Sequence, residues 1–325
     1  MKQLDQLKTF STIVADSGDF ISVKKFAPTD STTNPSLILQ ATKNPLYQPL
    51  IQEALNYAKK ESLVLEGQIN HAVEKLLVIF AREILKIIPG RVSLELDPRY
   101  SYSTSKSIDK ALRMIYLLEQ EGINKKRILI KIASTWEGLQ AAKLLEKEGI
   151  RCNMTLIFCL EQAALAAEAR ATIISPFVGR ILDWYRKHFS MEDYSADKDP
   201  GVISVKNIYR YIKHFKYSTK IMAASFRTLD EIYALAGCDL LTIAPKFLEE
   251  LFKLDTPIAQ KLSPSMVPSE KISKLNLTED NFHKQLRNNQ MAFEKLHEGI
   301  QSFIKDFEAL ESLIKNQLLE PVENH

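Results

Sequence analysis

Cysteine, glycine and the familiar ligand-binding signatures are sparse in this 325-residue chain. Its three cysteines, Cys152, Cys159 and Cys238, form no CxxC pair, which favours a reducing compartment over a disulfide framework and provides no zinc motif. The six histidines show no HExxH or comparable spacing, so we expect no dedicated metal site. No GxGxxG or GxxxxGK(S/T) loop is present, which argues against an open doubly wound sheet with a nucleotide-binding loop.

Neither the charge nor the hydropathy of the chain is extreme. The net charge is +3 and the basic residues are scattered, which is not the footprint of a nucleic-acid-binding protein. No apolar run approaches the length of a membrane span, and residues 1–8 contain no apolar signal region. We therefore expect a cytoplasmic, soluble protein with neither nucleic acid nor membrane among its partners.

Short β-rich runs alternate with helical runs along most of the chain. Its length fits two domains or one large barrel. Repeated βα units predict parallel pairing, and eight of them within about 250 residues predict a single-domain (β/α)8 TIM barrel of the α/β class, covering 1–325. The predicted strands lie at 12–18, 30–34, 91–97, 127–133, 152–158, 172–177, 220–225 and 239–243, and the intervening helices at 46–61, 67–88, 105–121, 139–146, 160–170, 180–189, 203–215 and 228–236.

A long helical tail follows the eighth predicted strand. It extends over about 278–319 and carries a broad apolar stripe at helical spacing. We expect this tail to pack on the barrel's own outer ring of helices in preference to binding a partner. A dimer contact on the same outer surface stays open.

The fourth predicted strand contains a lysine in an otherwise apolar run, Ile-Leu-Ile-Lys-Ile-Ala at 128–133. A cation within a buried strand is costly unless it is paired, hydrated or neutral. Because burial favours the neutral amine, Lys131 is a candidate Schiff-base nucleophile. The alternative is a structural lysine that reaches solvent or a carboxylate.

Strand parity places further polar residues inside the barrel. Successive side chains on a strand point to opposite faces, so one parity faces the lumen and the other the helices. In the third strand Val92, Leu94 and Leu96 share the apolar parity, which turns Glu95 inward. The same argument turns Lys131, Asp16, Asn153 and Thr155 inward, with Asn34, Ser175, Ser225 and Arg227 at later strand ends. Catalytic groups of such barrels come from this carboxyl end, although each residue alone could be a satisfied structural polar group.

Two arginines indicate a class of ligand. Arg180 follows the sixth strand and Arg227 closes the seventh. The guanidinium fork suits phosphate, and phosphate sites in barrels commonly lie on loops at this side of the ring. A surface role is the alternative for either residue alone.

These residues lie in three blocks that together resemble the class I transaldolase family of the pentose phosphate pathway. The blocks are Asp-Ser-Thr-Thr-Asn-Pro-Ser-Leu at 30–37, Leu-Ile-Lys-Ile-Ala-Ser-Thr-Trp-Glu-Gly at 129–138 and Ser-Pro-Phe-Val-Gly-Arg-Ile-Leu-Asp-Trp at 175–184. They occur in order on the predicted strands, and the resemblance covers essentially the whole chain. It implies a homodimeric barrel enzyme that acts on sugar phosphates without a metal or an organic cofactor.

The resemblance also implies roles for the site residues. Lys131 forms an imine with a ketose such as sedoheptulose 7-phosphate, Glu95 and Thr155 handle a water, and Asp16 takes the proton that starts carbon–carbon cleavage. The dihydroxyacetone unit then passes to glyceraldehyde 3-phosphate, giving erythrose 4-phosphate and fructose 6-phosphate. The substrate-binding residues implied are Asn34, Asn153, Ser175, Phe177, Arg180, Ser225 and Arg227.

Two alternative functions stay open. One is a fructose 6-phosphate aldolase, which releases free dihydroxyacetone; its relatives tend to be shorter, so the segment at 46–88 and the tail favour the transferase. The other is a sugar-phosphate-binding barrel without catalysis, against which the complete set Asp16, Glu95, Lys131 and Thr155 argues.

Overall fold

The computed structural model describes residues 1–189, 194–267 and 271–319 and shows a closed barrel of eight parallel strands. The predicted α/β class and barrel are confirmed. The strands are β1 Thr12–Asp16, β2 Asp30–Thr32, β3 Val92–Glu95, β4 Ile128–Ala133, β5 Cys152–Ile157, β6 Ile173–Pro176, β7 Lys220–Ala223 and β8 Leu240–Ile243. The helices are α1 Gln3–Phe10, α2 Phe20–Lys24, α3 Pro35–Ala41, α4 Gln48–Glu61, α5 Leu65–Leu85, α6 Thr104–Gln120, α7 Trp136–Lys147, α8 Leu160–Glu168, α9 Val178–Phe189, α10 Pro200–His214, α11 Leu229–Ala234, α12 Pro245–Lys253, α13 Glu279–Asn288 and α14 Gln290–Leu319.

The two faces of the strands form separate apolar layers. A small cluster fills the lumen below the polar residues, and in every strand except β2 the opposite parity contributes to the large core shared with the surrounding helices. Ile128, Ile130 and Ile132 lie in that outer core, whereas Leu129 lies in the lumen, as the period of two predicts. The lumen cluster consists of Val14, Leu129, Ile173, Met222 and Leu240.

In β5 the side chains do not alternate regularly between the lumen and the outer helices. The register against β6 shifts between Met154 and Ile157, and Leu156 has a left-handed backbone with φ 56°. A bulge of this kind redirects the side chains that follow it. Strand alternation alone would turn Leu156 toward the helices with Met154, yet it lines the cavity beside Lys131.

Four short helices were not predicted, namely α1, α2, α3 and α12. Each is only five to nine residues long, which is shorter than the stretch over which helical periodicity can be recognised. In α1 only Leu4 and Leu7 provide buried apolar side chains, yet the backbone N–H of Gln3 donates to Leu254 O at 2.9 Å and ties α1 to the end of α12. Within the described part of the chain, no helix combines the length and apolarity needed to cross a bilayer.

The C-terminal tail differs from its prediction in two ways. It consists of two helices, because the helical conformation is interrupted at Asn289 between α13 and α14. It also does not simply cover the outer ring: α14 contacts α3, α5, α9 and β5, which lie on different sides of the barrel. Phe303, near the middle of α14, lies 5.8 Å from the Lys131 amine. The tail helix therefore crosses the carboxyl mouth of the barrel.

Arg127 joins the start of β4 to the segment that links α5 and β3. Its guanidinium donates to Gly90 O at 2.9 Å, Leu85 O at 3.2 Å and Ile88 O at 2.6 Å. We expect Arg127→Ala to lower the free energy of unfolding by roughly 2–4 kcal/mol, because three carbonyls lose a charged donor. Arg127→Lys should lower the free energy of unfolding by less, since lysine keeps one charged donor group. Denaturant unfolding of the two variants measures this, and an alanine variant as stable as wild type would contradict it.

Candidate active site

Lys131 is held by strand pairing next to a buried acid. Glu95 and Lys131 are direct partners in the β3–β4 register, and Lys131 pairs in turn with Asn153 on β5. The Lys131 amine lies 2.9 Å from Glu95 Oε2 and 3.4 Å from Thr33 O. Both side chains of the pair are about 5% exposed. The predicted inward direction of Lys131 and Glu95 is thus confirmed.

Asp16 lies at the end of β1 and shares a cavity with Lys131. The cavity has a volume of about 70 Å³. Burial raises the pKa of Asp16 above its ordinary value, while the positive charges of Lys131 and Arg180 act in the opposite direction. The cations therefore favour the ionised form, as expected, but burial outweighs them. The other residues lining the cavity are Thr32, Asn34, Ser175, Phe177, Arg180, Met222, Ala224, Ser225, Thr242 and Phe303.

Glu95 is the second acid of the site. Burial raises its pKa and the Asp16 charge adds to this, whereas the charges of Lys131 and Arg180 and its contact with Lys131 lower it. Because burial is the largest effect, Glu95 binds a proton more readily than an exposed glutamate does. Glu95 is consequently able to accept a proton from the Lys131 ammonium, which leaves the amine free to attack a carbonyl.

Two β5 side chains next to the lysine differ in their hydrogen bonding. Asn153 is fixed: its amide donates to Ser93 Oγ at 3.1 Å and its carbonyl accepts from Ser175 Oγ at 2.7 Å. Thr155 is fully buried, and its hydroxyl has no hydrogen-bond partner among the described residues. A buried polar atom without a partner calls for an explanation, and a water or a reacting group would satisfy it.

Arg180 lines the cavity, and Arg227 lies near it. The Arg180 guanidinium carbon is 5.0 Å from the Phe177 ring and 5.3 Å from the Phe303 ring. Burial and the charge of Arg227 lower the pKa of Arg180. Arg227 is exposed, and it is paired with Asp183 at 2.7 Å and with Ser225 Oγ at 3.2 Å. Two neighbouring guanidinium groups form a site for a dianion such as phosphate.

The remaining predicted residues have additional structural roles. Asn34 caps α3, since its side chain accepts the Leu37 N–H at 2.8 Å. Ser225 has a left-handed backbone with φ 64°, which is uncommon for a serine. The Ser175 hydroxyl donates to Asn153, so in this structure it supports the neighbour of Lys131.

Several cavity residues were missed by the sequence analysis. Thr32 and Thr242 share the lumen parity of their strands, so the alternation argument could have found them. Phe303 has no such signal, because it is one of many apolar residues in the stripe of α14. Leu156 was missed because the bulge in β5 leaves no clear mark in the sequence.

Comparison with known proteins agrees with this geometry. The sequence model of the Transaldolase/Fructose-6-phosphate aldolase family matches residues 13–314. The chain belongs to the transaldolase family. It is 52% identical to a transaldolase of Saccharomyces cerevisiae over 319 residues, which cover 97% of this chain and 95% of the yeast protein. A transaldolase of Protochlamydia amoebophila is 52% identical over 313 residues (96% and 97%), and a probable transaldolase of Drosophila melanogaster is 51% identical over 319 residues (98% and 96%).

The unpartnered hydroxyl of this transaldolase-family chain allows a matched test. We expect Thr155→Val to leave stability unchanged or slightly raised, because it removes a buried hydroxyl that has no described partner. Turnover should fall by more than about tenfold if the hydroxyl orders a catalytic water. Thr219→Val is the control: Thr219 is 1% exposed and its hydroxyl also lacks a described partner, but it precedes β7 at the opposite end of the barrel. Equal turnover of the two variants would contradict the role of Thr155.

Proposed function

We propose that this protein is a transaldolase that acts on sugar phosphates through a Schiff base on Lys131. It transfers a dihydroxyacetone unit from sedoheptulose 7-phosphate to glyceraldehyde 3-phosphate and produces erythrose 4-phosphate and fructose 6-phosphate. The observation that carries the proposal is the Lys131 amine, buried in the barrel lumen 2.9 Å from Glu95. Membership of the family and identities near 50% to proteins named transaldolase support the same conclusion.

The first stage joins the ketose to the enzyme. Glu95 takes a proton from the Lys131 ammonium, and the free amine attacks the ketone carbon to form a carbinolamine. Loss of water then gives the iminium. Glu95 returns the proton to the departing hydroxyl through a water, which the Thr155 hydroxyl is placed to orient. Asn34 and Asn153 hold the hydroxyls of the three-carbon unit.

The second stage breaks and remakes a carbon–carbon bond. Asp16 removes the proton of the hydroxyl next to the bond, the electron pair of that bond moves into the iminium, and the aldose departs. The three-carbon unit remains on Lys131 as an enamine until an acceptor aldehyde arrives. The enamine then attacks the aldehyde carbon, and Asp16 returns its proton to the new hydroxyl. Water finally hydrolyses the new iminium, which frees the ketose product and the Lys131 amine. A raised pKa makes Asp16 a stronger base for this work.

The phosphate end of the substrate lies toward the two arginines. Arg180 and Arg227 provide the charge, and Ser225 and Phe177 line the same region. Ser175 supports this end through its bond to Asn153. Because the phosphate binds away from Lys131, it fixes the sugar along the cavity without entering the reaction.

A fructose 6-phosphate aldolase is the second candidate, because the family description covers both activities. The two differ in the fate of the three-carbon unit, which the aldolase releases by protonation. Phe303 from α14 lies against the Lys131 amine and shields it, and such exclusion of water favours transfer over release. The curated relatives near 50% identity also bear the name transaldolase.

We further propose that the protein works as a cytoplasmic homodimer that binds no nucleic acid. The family resemblance supports the dimer, and the modest, scattered charge supports the absence of nucleic acid. Light scattering of the purified chain distinguishes a dimer from a monomer.

Borohydride reduction tests the proposed function directly. We expect fructose 6-phosphate and borohydride to leave a dihydroxyacetone-derived adduct on Lys131, located by peptide mass mapping, and none in Lys131→Met. Lys75 and Lys295 are also buried, at 8% and 9% exposure, and are internal controls that should stay unlabelled. Labelling elsewhere, or none in an active preparation, would refute the assignment. Turnover of fructose 6-phosphate without an acceptor would favour the aldolase.

Shielding by α14 gives a second test. We expect Phe303→Ala to raise the ratio of free dihydroxyacetone to transferred product, because water reaches the enamine. Phe282→Ala is the matched control, since Phe282 is equally buried but packs on Trp136 away from the lysine. Each variant should lose about 3–5 kcal/mol of stability. A similar release ratio in both variants would show that Phe303 has no shielding role.

A further inference from the structure

The backbone of Arg227 is held by a buried acid that the proposed mechanism does not use. Glu231, in the first turn of α11, accepts the Arg227 N–H at 2.5 Å and the Thr228 N–H at 3.4 Å through Oε2. The Thr228 hydroxyl accepts the Glu231 N–H at 3.2 Å, which completes a capping box. The Glu231 carboxyl group therefore caps the N-terminus of α11 and also holds the backbone of Arg227, whose guanidinium is the proposed phosphate ligand.

A second buried acid faces the first. Asp199 is 2% exposed and Glu231 is 1% exposed, and their side chains interact with each other. Asp199 is the N-cap of α10, and its Oδ1 accepts the Gly201 N–H at 2.7 Å and the Val202 N–H at 3.2 Å. Two interacting carboxyls that are both buried do not both ionise at low cost, so their interaction favours keeping one proton on the pair.

The charges around the pair leave the proton mainly on Glu231. Burial raises its pKa to about 7, and the charge of Asp199 adds to this, whereas the Arg227 and Thr228 N–H groups lower it. Burial also raises the pKa of Asp199, against its backbone N–H bonds and the charge of Arg186 on α9. The Arg227 guanidinium pairs with Asp183, so Arg227 meets this pair through its backbone N–H.

Tight packing connects this pair to the phosphate region. The Gly179 N–H donates to Ser225 O at 2.9 Å, and a Cβ on Gly179 would lie 2.3 Å from that oxygen. A Cβ on Gly201 would lie 2.1 Å from Val178 O. The start of α10, the start of α9 and the segment from Ser225 to Arg227 thus pack without free space. A change in the carboxyl pair is transmitted to the arginines.

We propose that Glu231, backed by the buried Asp199, is a positioning residue of the phosphate site: its carboxyl group fixes the Arg227 backbone for binding the substrate phosphate. This inference rests on the proposed function of Arg227. Neither acid touches substrate. When the pair loses its shared proton, two buried negative charges repel each other, the anchor of Arg227 shifts, and phosphate binds less tightly.

The sign of the pH effect follows from the raised pKa. The proton is present below about pH 7 and is lost as the pH rises through that value. Affinity for an anion should therefore fall above neutrality in the wild-type enzyme. Inorganic sulfate is a suitable probe because, unlike phosphate, it keeps the same charge across the neutral range.

The experiment measures competitive inhibition by sulfate as a function of pH. In the wild type we expect the inhibition constant to rise by about threefold or more over the pH unit above neutrality. In Glu231→Gln the rise should vanish, because the amide donates to Asp199 and its carbonyl accepts from Arg227 without titrating. Asp199→Asn is the second variant and should also flatten the profile, since it removes the repulsion.

Two controls separate positioning from general stability. Glu146→Gln alters another acid whose pKa burial raises, which accepts the Cys152 and Thr172 N–H groups at 2.8 and 2.6 Å at the amino end of the barrel. It should keep the wild-type profile. Asp183→Asn removes the carboxylate paired with Arg227 and should change the sulfate affinity by the same factor at every pH, so the slope is kept.

A wild-type slope that persists in Glu231→Gln, or a slope lost equally in Glu146→Gln, would overturn the inference. Borohydride trapping on Lys131 is measured in every variant. Normal trapping with an unchanged slope refutes only the positioning role, whereas failure of trapping in the wild type refutes the proposed function.

Discussion

The contact between Lys131 and Glu95 is the constraint on which the rest of the site depends. A buried ion pair is stable only when its geometry is good and both partners are present. Here the geometry comes from the parallel register of β3 and β4, which places the two residues side by side at 2.9 Å. Because strand pairing fixes the distance and no flexible loop is involved, the acid can exchange a proton with the amine without rearrangement of the backbone.

The same lumen sets the protonation of the other groups. Burial raises the pKa of both Asp16 and Glu95, and it lowers the pKa of Arg180. Burial alone would therefore leave an uncharged site. The mutual attraction of the acids and cations opposes this and favours the charged forms. Burial and charge attraction thus act in opposite directions on the acids that exchange protons during the reaction.

Strand parity predicted the centre of this site because it is a local property of the sequence. Lys131, Glu95, Asn153 and Thr155 follow from alternation within single strands, and the barrel follows from repeated βα units. The path of α14 could not be predicted in this way, since its apolar stripe would serve equally well against the outer helices. The ion pair of Arg227 with Asp183 depends on the loop after β7 meeting helix α9 in space.

The features that prediction missed belong together. The bulge in β5 turns Leu156 toward α14, where it meets Gly299; a Cβ at that position would lie 2.7 Å from Leu156 and 3.2 Å from Arg180. A glycine there lets the helix approach closely enough for Phe303, one turn later, to contact both Lys131 and Arg180. The bulge, the glycine and the aromatic ring thus form one packing unit. Each would be unremarkable alone, and together they place an apolar cover over an amine that must react with a sugar while water is kept away.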